Sequence, residues 1–375
     1  MKILQICSAK SLGGGERHLL DLVKGLVARG HDVHVAVRPN SPLIPELRPA
    51  RYATSPKTHL MPLRNSVDVW SARALAQLVR RHNIQIVHAH LARDYPLGSY
   101  AMLRNRSARL IITRHVLFPM SAAHQFTLSQ AARVIGVSKA VAERLHADRV
   151  AKPEKISVVM NGIDSPRFRK ARAEFQRRPF LKALGLPPHS LLIGMVGTLT
   201  LLKGQAEFLK AAAQLRKRYP MARFIIAGTD TSDGNKNLAW IEALIEKLKL
   251  ADVVKLVGWV EDLPQLYCAL DIFVSASHSE SFGLAIAEAM ASGTAVVATE
   301  TEGAREIIEH EQMGLLVPIG DVAALAEAIV ALAGDDDRRR QMGAAAQQSV
   351  AERFAVDRMV DEIEKIYQEE VGPDL

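Results

Sequence analysis

Ser279-Glu280-Ser281-Phe282-Gly283-Leu284-Ala285-Ile286-Ala287-Glu288-Ala289-Met290-Ala291-Ser292-Gly293-Thr294-Ala295-Val296-Val297-Ala298-Thr299 decides how the rest of the chain is read. An apolar run, Ile272-Phe273-Val274-Ser275, precedes it and reads as a buried strand. Between Gly283 and Ser292 the residues are mostly Ala, Leu, Ile, Met and Glu, all good helix formers. Gly293 is placed to stop that helix, and Ala295 to Ala298 read as the next strand. The unit is strand, loop, helix, strand, with Gly283 at the mouth of the helix. The free N–H groups and positive dipole end of such a mouth suit a phosphate.

Glu280 falls in the loop before this helix, and Glu288 about one and a half turns inside it. Around an anion held at the mouth, the two carboxylates would reach different sides of the ligand. Carboxylates repel phosphate but accept hydrogen bonds from sugar hydroxyls, so the arrangement suits a nucleotide sugar. The bland alternative is a solvated loop glutamate and an exposed helix glutamate. Glu288, however, is flanked by Ala287, Ala289 and Met290 in a helix with almost no other polar face, unlike an amphipathic surface helix.

With seven residues between Glu280 and Glu288, the stretch resembles the E-x7-E signature of family-4 retaining glycosyltransferases, which have the GT-B fold. The resemblance implies two doubly wound, Rossmann-like α/β domains facing each other across a cleft. It implies a nucleotide-diphosphate sugar as donor substrate, no cofactor and no metal. Glu288 would hold the donor ribose and Glu280 the sugar hydroxyls, with Phe282 beside them. Lys203 and the backbone at Gly283-Leu284 would hold the diphosphate. The catalytic set implied is His115, Lys203 and Glu280.

The 375 residues are enough for two cores, and 48% hydrophobic with 23% charged residues is the composition of a globular protein. Ile3 to Cys7 is too short for a signal peptide, and no apolar run approaches the roughly 20 residues of a membrane span. Cys7 and Cys268 both sit in apolar contexts and are expected to be buried and free, so a cytoplasmic location is expected. Residues 1–180 hold 30 Lys and Arg against 11 Asp and Glu, whereas residues 181–375 hold 18 against 29. The basic half suggests an anionic or membrane-borne acceptor, such as a lipid-linked glycan or lipopolysaccharide core, met at the inner face of a membrane. Nucleic acid is not expected: aromatics are only 5% and do not interleave with the arginines.

Taken in order, Lys2 to Cys7 reads as a strand that runs into Gly13-Gly14-Gly15, then a helix from Leu19 and a strand Asp32 to Val37. This is neither a G-x-G-x-x-G fingerprint nor a Walker motif, since no lysine follows. By resemblance, Gly14 and Gly15 face the donor diphosphate. Segment 38–66 is proline-dotted and reads as irregular. Strand Ile84 to Ala89 ends in His88 and His90, a pair that can ligate metal; no third ligand stands at suitable spacing, so no metal site is expected. Strand Leu110 to Thr113 delivers Arg114 and His115 at its carboxyl end. The resemblance puts His88, His90 and Arg114 on the acceptor side and His115 beside the transferred sugar.

The domains are expected at 1–175 and 191–352, joined by a linker over 176–190, with 353–375 a helix crossing back onto the first domain. Strand Leu191 to Gly197 opens the second domain and leads to Lys203-Gly204 at another helix start. Family members carry an arginine after the glycine matching Gly197, where this chain has Thr198; Lys203 is then the main cation expected on the diphosphate. Backbone around Gly258 and Val260 is implied for the nucleobase. The reading is a metal-independent retaining glycosyltransferase acting in cell-envelope polysaccharide synthesis. Its rivals are a sugar-nucleotide epimerase or phosphorylase on the same fold, and a non-catalytic binder of anionic ligands.

Overall fold

A computed structural model describes residues 1–48, 55–105, 107–120 and 122–372. The chain divides into two compact units, one built from Met1–Gly162 and the segment from Val356 onward, the other from Ile163–Ala355. Both are open, all-parallel sheets with helices, as the alternation of strand and helix signals requires.

The first unit runs β1 (Lys2–Cys7), α1 (Gly14–Ala28), β2 (Asp32–Val37), β3 (Lys57–Leu60), α2 (Val69–His82), β4 (Ile86–Ala89), α3 (Tyr95–Leu103), β5 (Arg109–Arg114), α4 (Ala122–Ser129), β6 (Arg133–Gly136), α5 (Lys139–Ala147) and β7 (Ile156–Val158). Its strands lie in the order β3-β2-β1-β4-β5-β6-β7. The central strands are near-continuous apolar runs because both faces of a parallel sheet are covered. Ile3, Val33, Val35, Ile86 and Ile111 are buried with Leu19, Leu22 and Leu26 of α1. Ser138 caps α5, accepting from Val141 N at 3.2 Å. β3 lies inside the segment read as irregular; it is a short, polar edge strand pairing only with β2, so it carries no periodic signal. Residues 49–54 of that segment lie outside the described ones.

The second unit runs α6 (Ser165–Glu174), α7 (Arg177–Ala183), β8 (Leu191–Val196), α8 (Gln205–Arg218), β9 (Ala222–Ala227), α9 (Lys236–Lys247), β10 (Val254–Gly258), α10 (Leu263–Ala269), β11 (Ile272–Ser275), α11 (Leu284–Ala291), β12 (Ala295–Thr299), α12 (Glu302–Ile307), β13 (Leu315–Val317), α13 (Val322–Ala333) and α14 (Asp336–Arg353), with strand order β10-β9-β8-β11-β12-β13. The expected boundary at 175 and linker over 176–190 do not describe this arrangement: the division falls after Gly162, and α6 and α7 belong to the second unit. Helix α6 is capped by Asp164, which accepts from Arg167 N at 3.3 Å. Arg177 at the start of α7 is tied to Ala269 O at 2.7 Å and to the Asp271 carboxylate at 2.7 Å. Charged helices held by such tertiary contacts show no apolar period.

The last helix, α15 (Val356–Val371), packs in the first unit against α1, burying Met359, Val360, Ile363 and Tyr367. It is acidic, and its carboxylates meet basic residues of that unit: Arg29 with Asp361, His31 with Glu364 at 2.8 Å, and Arg133 with Glu370 at 2.9 Å. With α15 included, the first unit holds 26 Lys and Arg against 16 Asp and Glu. The charge segregation read along the chain is thus partly matched inside one unit.

In each sheet the strand order reverses beside the first strand of the unit, between β1 and β4 and between β8 and β11. Ligands of open parallel sheets bind outside the carboxyl ends of the strands at that reversal. The glycine loop and His90 follow β1 and β4, and the segments carrying Lys203 and Glu280 follow β8 and β11.

Candidate functional site

In the second unit the residues after β8 and β11 meet. Lys203 Nζ lies 2.6 Å from Glu280 Oε1, and Ser277 Oγ donates to the same oxygen at 2.8 Å. Both partners of the ion pair are only partly exposed, Lys203 by 30% and Glu280 by 13% of the side chain, so the pair is more than a solvated surface contact. The Lys203 stem runs past Gly197, where an added Cβ would meet it at 3.6 Å. Gly204, next in sequence, has φ +71°, and a Cβ there would stand 1.9 Å from the Ala276 carbonyl oxygen. Only glycine lets the chain bring Lys203 this close to the end of β11.

Gly283 adopts φ +96° and caps α11, so Glu280 lies in the preceding loop and Glu288 in the helix, as read from the sequence. The first N–H groups of α11 have no carbonyl partner within the helix, which leaves its mouth, at Leu284, electropositive. Glu288 is 7% exposed and accepts from Tyr267 Oη at 2.8 Å, a buried tyrosine of α10. Gly293 has φ +70° and donates to Met290 O at 2.9 Å, ending α11. Phe282 is 2% exposed, its ring edge-on to Phe354 with centroids 5.5 Å apart. Its side chain is core, so the ring itself is not available to a donor and only the Phe282 backbone could meet one. The Thr198 carbonyl accepts from Gln205 Nε2 at 3.1 Å. Gly258 O accepts from Gly228 N at 2.8 Å, with Val260 half-buried just beyond.

In the first unit Gly14 opens α1, and the Glu16 carboxylate folds back to accept from Gly13 N at 2.9 Å. Burial pushes the Glu16 carboxyl above its ordinary pKa. Gly15 packs on the His115 ring, which an added Cβ would meet at 3.3 Å. His115 stands beside two other histidines. His90 Nδ1 is 3.5 Å from His115 Nε2, and the His18 ring, from α1, is 4.9 Å from the His115 ring centroid to centroid. His18, His90 and His115 each present a ring nitrogen within 4.8 Å of the others. The third and fourth histidines that the local spacing of His88 and His90 did not reveal come from elsewhere in the chain. Desolvation pushes His18 down to about 4, and it lowers His90 and His115 well below the ordinary range, with neighbouring histidines adding to the shift. All three imidazoles are therefore neutral at pH 7.

Two acceptor-side expectations are corrected. His88 is fully buried, with Nδ1 2.5 Å from Tyr367 Oη and Nε2 2.7 Å from Thr113 Oγ1. It belongs to a hydrogen-bonded network that occupies both of its ring nitrogens. Arg114 is 6% exposed and donates to Phe118 O at 2.6 Å, holding the segment after β5. Sequence reading missed His18, Gln5, Asn161, Tyr267 and Ser277. Ser277 and His18 lay close enough to recognised motifs to be suspected.

Residues 12–167 match the family described as Glycosyltransferase Family 4, and residues 176–349 match Glycosyl transferases group 1. The D-inositol 3-phosphate glycosyltransferase of Saccharomonospora viridis is 30% identical over 307 residues, covering 76% of this chain and 70% of that protein. That of Corynebacterium kroppenstedtii is 34% identical over 229 residues, 60% of this chain, and the match spans about half, 50%, of its length. The crystal structure of Anabaena HepE in complex with UDP and glucose superposes with a TM-score of 0.85 at 24% identity, covering 98% of this chain and 99% of that one. That likeness shows the fold, the two Rossmann-like sheets of GT-B proteins.

Proposed function

This chain belongs to the family-4, group 1 glycosyltransferases, and from that premise we propose that it moves a sugar from a nucleotide-diphosphate sugar to an acceptor with retention of anomeric configuration. The carrying observation is the Lys203–Glu280 pair, held at 2.6 Å at the strand-order reversal of the second sheet and next to the mouth of α11. An ammonium has three donors, so Lys203 can keep Glu280 and also reach a diphosphate oxygen. The pair fixes both side chains before ligand arrives, which lowers the cost of positioning them in the transition state.

In this reading the α11 mouth and Lys203 take the diphosphate, Glu280 accepts from hydroxyls of the sugar, and Glu288 accepts from the ribose. Tyr267 acts as a positioning residue that orients the Glu288 carboxylate. As the bond to the anomeric carbon lengthens, negative charge grows on the diphosphate, and preorganised donors stabilise it. Gly258 and Val260 offer backbone to the base. We assign the acceptor to the first unit, near the partly exposed His115, and expect it to be a glycan, lipid-linked or of lipopolysaccharide type. Turnover needs no divalent ion, the charge on the leaving group being met by Lys203 and backbone N–H groups.

Turnover of Lys203→Ala tests this reading. Loss of one preorganised stabiliser typically costs 10²–10³ in kcat, and with an uncharged Thr198 after Gly197 the upper end is expected. Thr198→Arg on the Lys203→Ala background should recover part of it. A Lys203→Ala protein within a few-fold of wild type would overturn the assignment.

A further inference from the structure

Three histidines in the first unit form a set that sugar transfer does not use in full. His18 Nδ1 is 2.9 Å from Asn161 Oδ1, so that nitrogen carries the proton and donates to the amide oxygen. His18 Nε2 is then a bare lone pair; the residue is 2% exposed, and among the described residues this atom has no hydrogen-bond partner. His90 Nε2 lies 2.8 Å from Gln5 Oε1, whose own amide nitrogen donates to Tyr367 Oη at 3.1 Å. His90 is therefore held with its proton on Nε2 and its lone pair on Nδ1, the atom 3.5 Å from His115 Nε2. Two amide oxygens thus fix two imidazoles in the tautomers that turn lone pairs toward one point. This is the arrangement by which outer hydrogen bonds orient histidine ligands around a metal.

We propose that His18 Nε2, His90 Nδ1 and His115 Nε2 form a transition-metal site for Zn²⁺ or a similar borderline cation, with a fourth position open. The ligand type fits: imidazole suits zinc, cobalt, nickel and copper, and an all-nitrogen set selects against calcium and magnesium. The dimensions fit as well. Tetrahedral zinc with bonds of about 2.0–2.1 Å sets its ligand nitrogens about 3.3 Å apart. The His90–His115 separation is already 3.5 Å, and all three ligand atoms lie within 4.8 Å of one another. His115 is partly exposed, which leaves a side of the site for water or an oxygen of a bound molecule. Arg114 stands next in sequence; its guanidinium donates to the Phe118 carbonyl, and its charge is still felt at His115, so the open side of the site favours an anionic or neutral oxygen ligand. A second histidine group, His34, His59 and His82, is tied more tightly, His34 Nδ1 and His59 Nε2 bonding each other at 2.9 Å against the long 3.5 Å between His90 and His115. The site stands whether or not the transfer reading holds.

Cobalt(II) is the probe, because tetrahedral Co²⁺ absorbs visibly where the hydrated ion barely does. One equivalent of Co²⁺ added to the metal-free protein should produce these bands, and one equivalent of Zn²⁺ should remove them. The bands should vanish in His115→Asn, whose ring is partly exposed and whose loss leaves the buried network intact, with folding checked by circular dichroism. They should persist in His82→Gln. Absence of bands in the wild type, their survival in folded His115→Asn, or their loss in folded His82→Gln would each overturn the proposal.

Discussion

Acidification should weaken the first unit through His18, and the amount follows from its surroundings. The ring is buried, with one nitrogen bonded to Asn161 and the other unpartnered among the described residues, so desolvation pushes it from 6.5 to about 4. A depressed histidine pKa means that the unfolded chain takes up the proton first. The stability it holds is complete above pH 6.5 and drains away as pH falls toward 4. At about pH 5 this one residue costs about 2 kcal/mol relative to neutral pH. Asp94 works in the opposite sense: burial lifts it to about 6, so protonation below that value returns on the order of 1 kcal/mol. The two are separated by a variant. Urea unfolding followed by far-ultraviolet circular dichroism, near pH 7.5 and near pH 5, should show wild type losing about 2 kcal/mol more than His18→Gln. Equal losses in the two proteins would refute the neutral, buried state assigned to His18.

Glu288→Gln should weaken nucleotide-diphosphate binding by about 10- to 150-fold, the worth of a hydrogen bond to a charged group; unchanged calorimetric affinity in the folded variant removes Glu288 from the site. Gly204→Ala should lower the stability of the second unit by at least about 2 kcal/mol, since it adds a left-handed penalty to a collision with Ala276, and a urea midpoint close to wild type would contradict the geometry. The first unit should sediment with anionic vesicles and release with salt, each Lys or Arg at the surface contributing about 1 kcal/mol. Trp70 on α2 is 77% exposed, with the Arg73 guanidinium 5.9 Å from its ring, and Trp70→Ala should weaken this binding. Equal binding to neutral vesicles would count against an anionic surface as partner.

The parts of the molecule legible in its sequence are those set by local chemistry. The strand–loop–helix–strand unit around Glu280 and Glu288 could be read because Gly283, Gly293 and the Ala-rich run each have one conformational meaning. The caps at Ser138 and at Asp335, which accepts from Arg338 N at 2.8 Å, are local features of the same kind. Groupings made by the sheet were not. His18 reaches His90 and His115 only because β1, β4 and β5 lie side by side, and the glycine loop three residues before it gives no sign of that grouping. Tyr267 meets Glu288 through the packing of α10 on α11. The resemblance puts His88 on the acceptor side, yet Tyr367 from the far end of the chain and Thr113 take its two ring nitrogens. The helices α6 and α7 escaped notice because Asp164 and Asp271 hold them by charge rather than by an apolar stripe.

The central claim is that the second unit activates a nucleotide sugar for transfer with retention. Proton NMR of the first sugar released when the protein is incubated with a panel of α-linked UDP-, GDP- and ADP-sugars tests it most directly, water serving as acceptor. The account predicts that one donor is consumed and that its sugar appears first as the α anomer, before mutarotation. First appearance of the β anomer, or consumption of no donor, would contradict it.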